Sequence, residues 1–170
     1  GRWHGVDRVR LGYAVTPRVV VSCTAEMLRG SADRARSTGT WWQSHVAEDP
    51  FEIAEVRRLF PDALDYVDVY DRAGALGDRT ILAHAIHLSE REVARLAETG
   101  ARVAHCPASN LFIGAGIMPL GRWRQDGLTG RQGPRLLRPP SVVPNCCGVL
   151  RPAEPAPLTP KATGNAASAP

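Results

Sequence analysis

The sequence predicts an α/β fold that forms part of a (β/α)8 barrel, with about four βα units. Three apolar, strand-like runs end in histidine, at His45, His84 and His105, and a helical pattern follows each run. This alternation predicts parallel strands joined by right-handed crossovers. A closed barrel of eight strands takes roughly 250 residues, whereas the alternation here stops near Gly127. We therefore expect about half a barrel in residues 1–128.

Capping residues and breakers predict where each element begins and ends. Pro17 interrupts the first strand, because proline cannot donate to an interior ladder. The helix after it starts from a cap at Ser22 or Thr24, and Ser89 with Glu92 forms a capping box. Strands are predicted over residues 9–15, 19–21, 41–45, 80–83 and 101–104, helices over 24–37, 51–59, 63–75, 90–98 and 117–126, and a loop over 107–116.

The composition separates residues 129–170 from the rest of the chain. Basic and acidic residues balance in residues 1–128. Residues 129–170 therefore supply the net charge of +4, and they also contain most of the 14 prolines. We predict a Pro/Arg/Ala-rich disordered tail. A nucleic-acid-binding tail is disfavoured, because no aromatic residue follows Trp123 for base stacking. No apolar run approaches the roughly 20 residues that span a bilayer, and the 4 cysteines lack the spacing of a disulfide framework. We expect a reducing, cytoplasmic setting.

Residues 43–48 carry the clearest chemical signal. They place His45 at the end of a strand and Glu48 in the loop that follows. A neutral imidazole can ligate zinc, which lowers the pKa of a bound water from near 16 to about 7, and a carboxylate that is free of the metal can then move protons. The motif alone leaves open a plainer alternative, in which the histidine is merely hydrogen-bonded and the glutamate is solvated at a helix start.

The context of this motif resembles the guanine deaminase branch of the amidohydrolase superfamily over most of residues 3–128. Five separate stretches match, and they occur in the same order as in that family, which is far more specific than a match of any one stretch. The matching stretches are Thr16-Pro17-Arg18 with Ser22-Cys23, Gln43-Ser44-His45-Val46-Ala47-Glu48, Asp68-Val69-Tyr70-Asp71, Leu82-Ala83-His84, and Ala104-His105-Cys106-Pro107-Ala108-Ser109-Asn110-Leu111.

The resemblance implies a TIM-type amidohydrolase barrel that binds one Zn²⁺ ion and hydrolyses guanine to xanthine and ammonia. It makes His45 a zinc ligand and Glu48 the carrier of the proton from water to the purine and the leaving ammonia. It makes His84 the residue that holds the attacking hydroxide, with a role as second ligand left open. It makes Arg18 the residue that pairs with the polar edge of the purine. The partner is then a small heterocycle rather than a nucleic acid or a membrane, and we expect a homodimeric parent.

Several features of that family do not appear in this sequence. No His-x-His pair lies at an early strand, and no strand-end aspartate follows Gly127, although the family uses both for metal binding. We therefore expect a fragment that begins inside an element, binds zinc weakly and is inactive alone. A shifted reading frame near Thr129 is our hypothesis for the lost aspartate. The alternative function is hydrolysis of another aminated heterocycle, or of a formimino or chloro leaving group.

Overall fold

The computed structural model describes residues 4–5, 12–121 and 135–137. Its described strands form one sheet, in which all neighbours are parallel and the spatial order follows the chain order. This is the arrangement that successive βα units predict. The strands are β1 (Ala14–Val15), β2 (Trp41–Val46), β3 (Thr80–His84), β4 (Arg102–Ala104) and β5 (Arg135–Leu137), and the helices are α1 (Ala25–Thr38), α2 (Pro50–Leu59), α3 (Tyr66–Arg72), α4 (Glu90–Thr99) and α5 (Pro107–Phe112).

The central pair β2–β3 has the longest register in the sheet, from Trp42 opposite Thr80 to Val46 opposite His84. Every residue of β3 is buried, whereas buried and half-buried residues alternate along β2. Strand alternation places the side chains of Trp42, Ser44 and Val46 on one face and that of His45 on the other. The hydrophobic core lies on the first of these faces, so His45 projects away from it.

The predicted helix boundaries are confirmed where capping residues set them. The Thr24 side chain accepts from the Met27 amide at the start of α1, which ends at Gly39 with a φ of 63°. Ser89 and Glu92 form both hydrogen bonds of a capping box at the start of α4. These ends depend on contacts three or four residues apart, and this is why the local sequence predicts them.

Several of the expected elements differ in the structure. Of the strand predicted over 9–15, the described residues form only Ala14–Val15. Residues 107–116 were predicted as a loop, but Pro107–Phe112 form the short helix α5. Pro107 occupies its first position, where the fixed φ of proline suits a helix, and the Asn110 amide donates to the Cys106 carbonyl. Val20–Ser22 form a single 3-10 turn where a strand over 19–21 was predicted.

The sheet also includes part of the segment for which a tail was predicted. Strand β5 pairs with β4, from Arg102 opposite Arg135 to Ala104 opposite Leu137. The sheet therefore extends past residue 128, where the tail was predicted to begin. An open edge of β4 offers backbone groups for pairing, whatever the composition of the added strand. The rest of residues 129–170, and residues 122–126 of the helix predicted over 117–126, lie outside the described residues, whereas residues 117–119 are described and are not helical. Within the described part, no helix has both the length and the apolar character that crossing a membrane requires.

Candidate active site

Three polar side chains meet at the carboxyl end of β2 and β3. His45 is the penultimate residue of β2, His84 is the last residue of β3, and Glu48 lies in the loop after β2. One ligand atom of each lies within 4.8 Å of those of the other two. The imidazole rings of His45 and His84 are stacked, with their centroids 4.9 Å apart. The structure therefore brings together three of the four site residues predicted from the sequence.

Unusual backbone conformations place these side chains. Ala47, His84 and Ala85 have φ values of 45°, 72° and 50°, although none is a glycine. Such conformations cost of order 1–3 kcal/mol each and persist only where their surroundings enforce them. Here the Val46 carbonyl accepts from the Ala85 amide, which ties the two strand ends together. The strand ends are thus held in the turn that brings Glu48 to His84.

A backbone carbonyl fixes the tautomer of His45. The Arg18 carbonyl oxygen lies 2.7 Å from His45 Nδ1 and also accepts from the His45 amide. A carbonyl oxygen only accepts, so Nδ1 carries the hydrogen and the Nε2 lone pair of the neutral ring remains available. This is the usual arrangement of a metal-binding histidine, whose second ring nitrogen is held by a carbonyl or carboxylate.

The environment of His45 also favours the neutral ring. Burial, together with the neighbouring His84, holds the pKa of His45 below its ordinary value. The Arg18 carbonyl and the Glu48 carboxylate act in the opposite direction but do not outweigh burial. A neutral imidazole is the form that binds a metal ion, so the ring is ready as a ligand near neutral pH.

A buried hydroxyl pair supports the strand that carries His45. The Tyr70 hydroxyl donates to the His45 carbonyl over 2.6 Å and lies 2.7 Å from the Ser44 hydroxyl. Tyr70 is fully buried, and burial raises the pKa of its phenol. The phenol therefore keeps its hydrogen and continues to donate. Its ring also packs edge-on against Trp42, with the centroids 5.1 Å apart.

His84 has two acceptors at one ring nitrogen. Its Nδ1 lies 2.7 Å from Asn110 Oδ1 and 3.0 Å from Glu48 Oε1. The His84 side chain is 4% exposed and that of Glu48 is 19% exposed, so both are largely shielded from solvent. In this environment a hydrogen bond to a carboxylate is stronger than it is in water. Glu48 is thereby held beside the imidazole and away from the bulk solvent.

The donor set fits a zinc ion. Two imidazoles and one carboxylate are borderline ligands of the kind that zinc prefers, and catalytic zinc sites use three protein ligands with one open position. The three side chains lie close enough for a single ion to contact them all. The residues present can therefore hold a metal ion, either with all three as ligands or with Glu48 left free, as the sequence predicts.

Other histidines near the strand ends make different contacts. His87 Nε2 lies 2.9 Å from the Ala115 carbonyl. His105 follows β4, directly before the loop that leads into α5. Its buried Nδ1 has no hydrogen-bond partner within the described part of the chain, and burial lowers the pKa of its ring.

The structure uses Arg18 in a way that the sequence does not indicate. Arg18 is an exposed residue, and its backbone carbonyl is the acceptor that orients His45. Its predicted contact with a substrate stays a prediction. Sequence reasoning also gave no role to Asn110, which contacts His84, although this residue belongs to one of the five matching stretches. Tyr70 belongs to another.

Comparison with known proteins agrees with this geometry. Residues 3–129 match the amidohydrolase family. The chain is 43% identical to the probable guanine deaminase of Deinococcus radiodurans over 128 residues. This aligned region covers 75% of this chain but only 29% of that protein. The chain therefore spans less than a third of the length of this relative.

Solved structures show the same similarity in three dimensions. The guanine deaminase of E. coli superposes with a TM-score of 0.68 and 38% identity, over 73% of this chain and 29% of that one. The guanine deaminase of C. acetobutylicum, solved with guanine bound in its active site, superposes with a TM-score of 0.65 and 32% identity, over 71% of this chain and 28% of that one. The strand-end histidines, the parallel sheet and the extent of the family match lead to one conclusion: this chain belongs to the amidohydrolase family.

Proposed function

We propose that this chain is part of a zinc-dependent deaminase that hydrolyses guanine to xanthine and ammonia. The observation that carries the proposal is the cluster of His45, Glu48 and His84 at the ends of two adjacent parallel strands. Support comes from the guanine deaminases that it resembles, one of which was solved with guanine in its active site. The small-molecule site belongs to the longer parent, which we place in the cytoplasm.

In this proposal each residue of the cluster has a separate task. His45 offers Nε2 to the zinc ion, because its Nδ1 is held by the Arg18 carbonyl. His84 orients the attacking water. The chemistry that zinc supplies when bound is acidification of water, whose pKa falls from near 16 to about 7. The guanidinium of Arg18, an exposed residue, binds the polar edge of the purine.

Glu48 moves the proton that the reaction requires. Water adds to the ring carbon that carries the amine, so a C–O bond forms while the Glu48 carboxylate takes a proton from the water. Glu48 passes this proton to a ring nitrogen, takes the second proton from the newly added hydroxyl and delivers it to the departing amine. The C–N bond then breaks to release ammonia, and the added oxygen becomes the carbonyl of xanthine. A shielded carboxylate 3.0 Å from His84 Nδ1 is suited to both directions of transfer.

The proposal is tested by measuring zinc content and ammonia release from guanine. The 170-residue chain is compared with a version extended upstream and carried through the alternative frame past Leu128. We expect zinc and activity in the extended protein and little of either in the short chain. Activity in neither protein, with both folded, would exclude guanine as the substrate.

Variants of the extended protein test the assigned residues. Glu48→Gln should lower the turnover rate by roughly 10²- to 10⁴-fold, the usual contribution of general acid–base catalysis. Glu55→Gln is the matched control, because Glu55 lies on α2 and pairs with Arg58 at 2.7 Å, outside the cluster. Equal effects of the two substitutions would contradict the role of Glu48.

Another amidohydrolase substrate is the competing function, since a metal site alone does not select a purine. A panel of aminated and chlorinated heterocycles, tested with Arg18→Ala, separates the two. We expect this variant to lose guanine hydrolysis far more than hydrolysis of the other compounds. If all substrates fell by the same factor, Arg18 would not recognise the purine edge.

A further inference from the structure

Asn110 is a buried polar residue for which the proposed chemistry provides no role. Its side chain is 1% exposed, and its Oδ1 lies 2.7 Å from His84 Nδ1. Its Nδ2 has no hydrogen-bond partner among the residues that the structure describes. An unpaired buried donor is destabilising. The contribution of Asn110 therefore has to be sought in its one side-chain hydrogen bond, to His84.

That hydrogen bond decides which nitrogen of His84 carries the hydrogen. Two oxygen atoms, Asn110 Oδ1 and Glu48 Oε1, face the same Nδ1 at 2.7 and 3.0 Å. A nitrogen between two acceptors must be the donor, so the neutral ring carries Nδ1–H and its Nε2 keeps a lone pair. The amide oxygen is the nearer of the two acceptors.

The backbone holds Asn110 in place on both sides. Its amide donates to the Cys106 carbonyl over 3.0 Å, and its carbonyl accepts from the Ala115 amide over 2.9 Å. Asn110 thus lies in α5 with little freedom to move its side chain. An asparagine also accepts a hydrogen bond without adding a charge, so it does not place a second carboxylate beside Glu48.

We propose that Asn110 is a positioning residue that holds His84 in the Nδ1–H tautomer, a role that rests on the function proposed for the cluster. By accepting that hydrogen, Asn110 leaves Nε2 of His84 free to accept from water or to bind the metal. It also spares Glu48 from serving as the only acceptor of His84. The carboxylate can then gain and lose a proton without releasing the imidazole.

Nitrogen NMR of the metal-free, 170-residue chain tests this directly. Long-range ¹H–¹⁵N spectra at about pH 8.5, well above the ordinary pKa of histidine, distinguish the two neutral tautomers of His84. We expect Nδ1–H to predominate in the wild type. Asn110→Leu, which keeps the size but removes the acceptor, should raise the ratio of Nε2–H to Nδ1–H by roughly 3- to 10-fold, the equivalent of one ordinary hydrogen bond.

Two further variants complete the design. Asn110→Asp retains an acceptor and should keep Nδ1–H. Ser109→Ala, one residue earlier in α5 and with no hydrogen bond to His84, should leave the ratio unchanged. A wild-type ring in the Nε2–H form would overturn the proposal even if no variant folded. An unchanged ratio in folded Asn110→Leu would also overturn it and would assign the tautomer to Glu48 alone.

The readout needs neither guanine nor zinc. If the extended protein failed to release ammonia while the tautomer responded as expected, only the proposed function would fail. If the extended protein deaminated guanine while Asn110→Leu left the tautomer unchanged, only the role of Asn110 would fail.

Discussion

The central strand pair, β2 and β3, differs in burial from the segment that lies beside its carboxyl end, which we call the rim. All five residues of β3 are buried. The rim, which we define as α5 and residues 113–117, exposes large apolar side chains: Leu111 at 62%, Phe112 at 90%, Ile113 at 57% and Ile117 at 73%. The rim nevertheless supplies the buried Asn110 that contacts His84. The strands thus carry the reactive groups, and the rim orients them.

The comparison teaches why the chemistry lies on the central pair. His84 and Ala85 hold left-handed backbone conformations, and only dense surrounding structure maintains these. The long β2–β3 register and the buried Tyr70 supply that structure. The rim exposes most of its large apolar side chains, and its buried residue Asn110 suits an orienting role.

The largest expected difference between the regions is in stability. Leu82→Ala removes a fully buried side chain of β3 and should lower the free energy of unfolding by about 2–5 kcal/mol, since it leaves a cavity. Leu111→Ala makes the same chemical change on the rim, where the side chain is 62% exposed, and should cost about 0.5 kcal/mol or less. Urea unfolding followed by circular dichroism measures both. Similar losses would mean that the rim is packed in solution.

Zinc binding should depend on the central pair. His45→Ala removes the imidazole whose tautomer Arg18 fixes, and zinc affinity should fall by at least the roughly 10- to 100-fold that losing an outer partner of a ligand costs. His87→Ala is the control, because the His87 ring contacts the Ala115 carbonyl outside the cluster. Competition with a chromogenic chelator gives both affinities in the extended protein, since the short chain is expected to hold little zinc. Equal affinities for the two variants would remove His45 from the site.

A smaller effect should follow from changing the support behind His45. Tyr70→Phe keeps the ring but removes the hydroxyl that donates to the His45 carbonyl over 2.6 Å. The free energy of unfolding should fall by about 1–3 kcal/mol, since the His45 carbonyl and the Ser44 hydroxyl each lose a hydrogen bond with Tyr70. Tyr13→Phe, at a residue that is 52% exposed, is the control. Thermal unfolding measures this loss. Equal melting temperatures for Tyr70→Phe and Tyr13→Phe would show that the hydroxyl of Tyr70 does not stabilise β2.

The smallest effect concerns the junction between the rim and β3. Gly116 has a φ of 119°, and an added Cβ would lie 3.2 Å from Cγ2 of Ile86. Gly116→Ala should therefore cost about 1 kcal/mol, measurable by the same urea titration. At Gly121 an added Cβ would meet nothing within 4 Å, so Gly121→Ala serves as the control. A neutral Gly116→Ala would indicate that the junction can shift.

Local signals predicted most of the helices and the main strands. Thr24, Gly39 and the Ser89–Glu92 box act through contacts within a few residues, so the sequence around them is sufficient. The local signals failed at α5, where Pro107 was interpreted as a loop residue although it begins a helix. They also failed at β5, because strand pairing along an open edge needs little from the composition of the added strand.

The sequence by itself determined the βα alternation, the strand-end histidines and the glutamate three residues after His45, because periodicity and spacing are local properties. Only the tertiary structure decided which nitrogen each histidine presents. The hydrogen bond from His45 to Arg18 joins residues 27 apart, and the one from His84 to Asn110 joins residues 26 apart. Such contacts form only when parallel strands align their carboxyl ends, and no short stretch of sequence encodes that alignment.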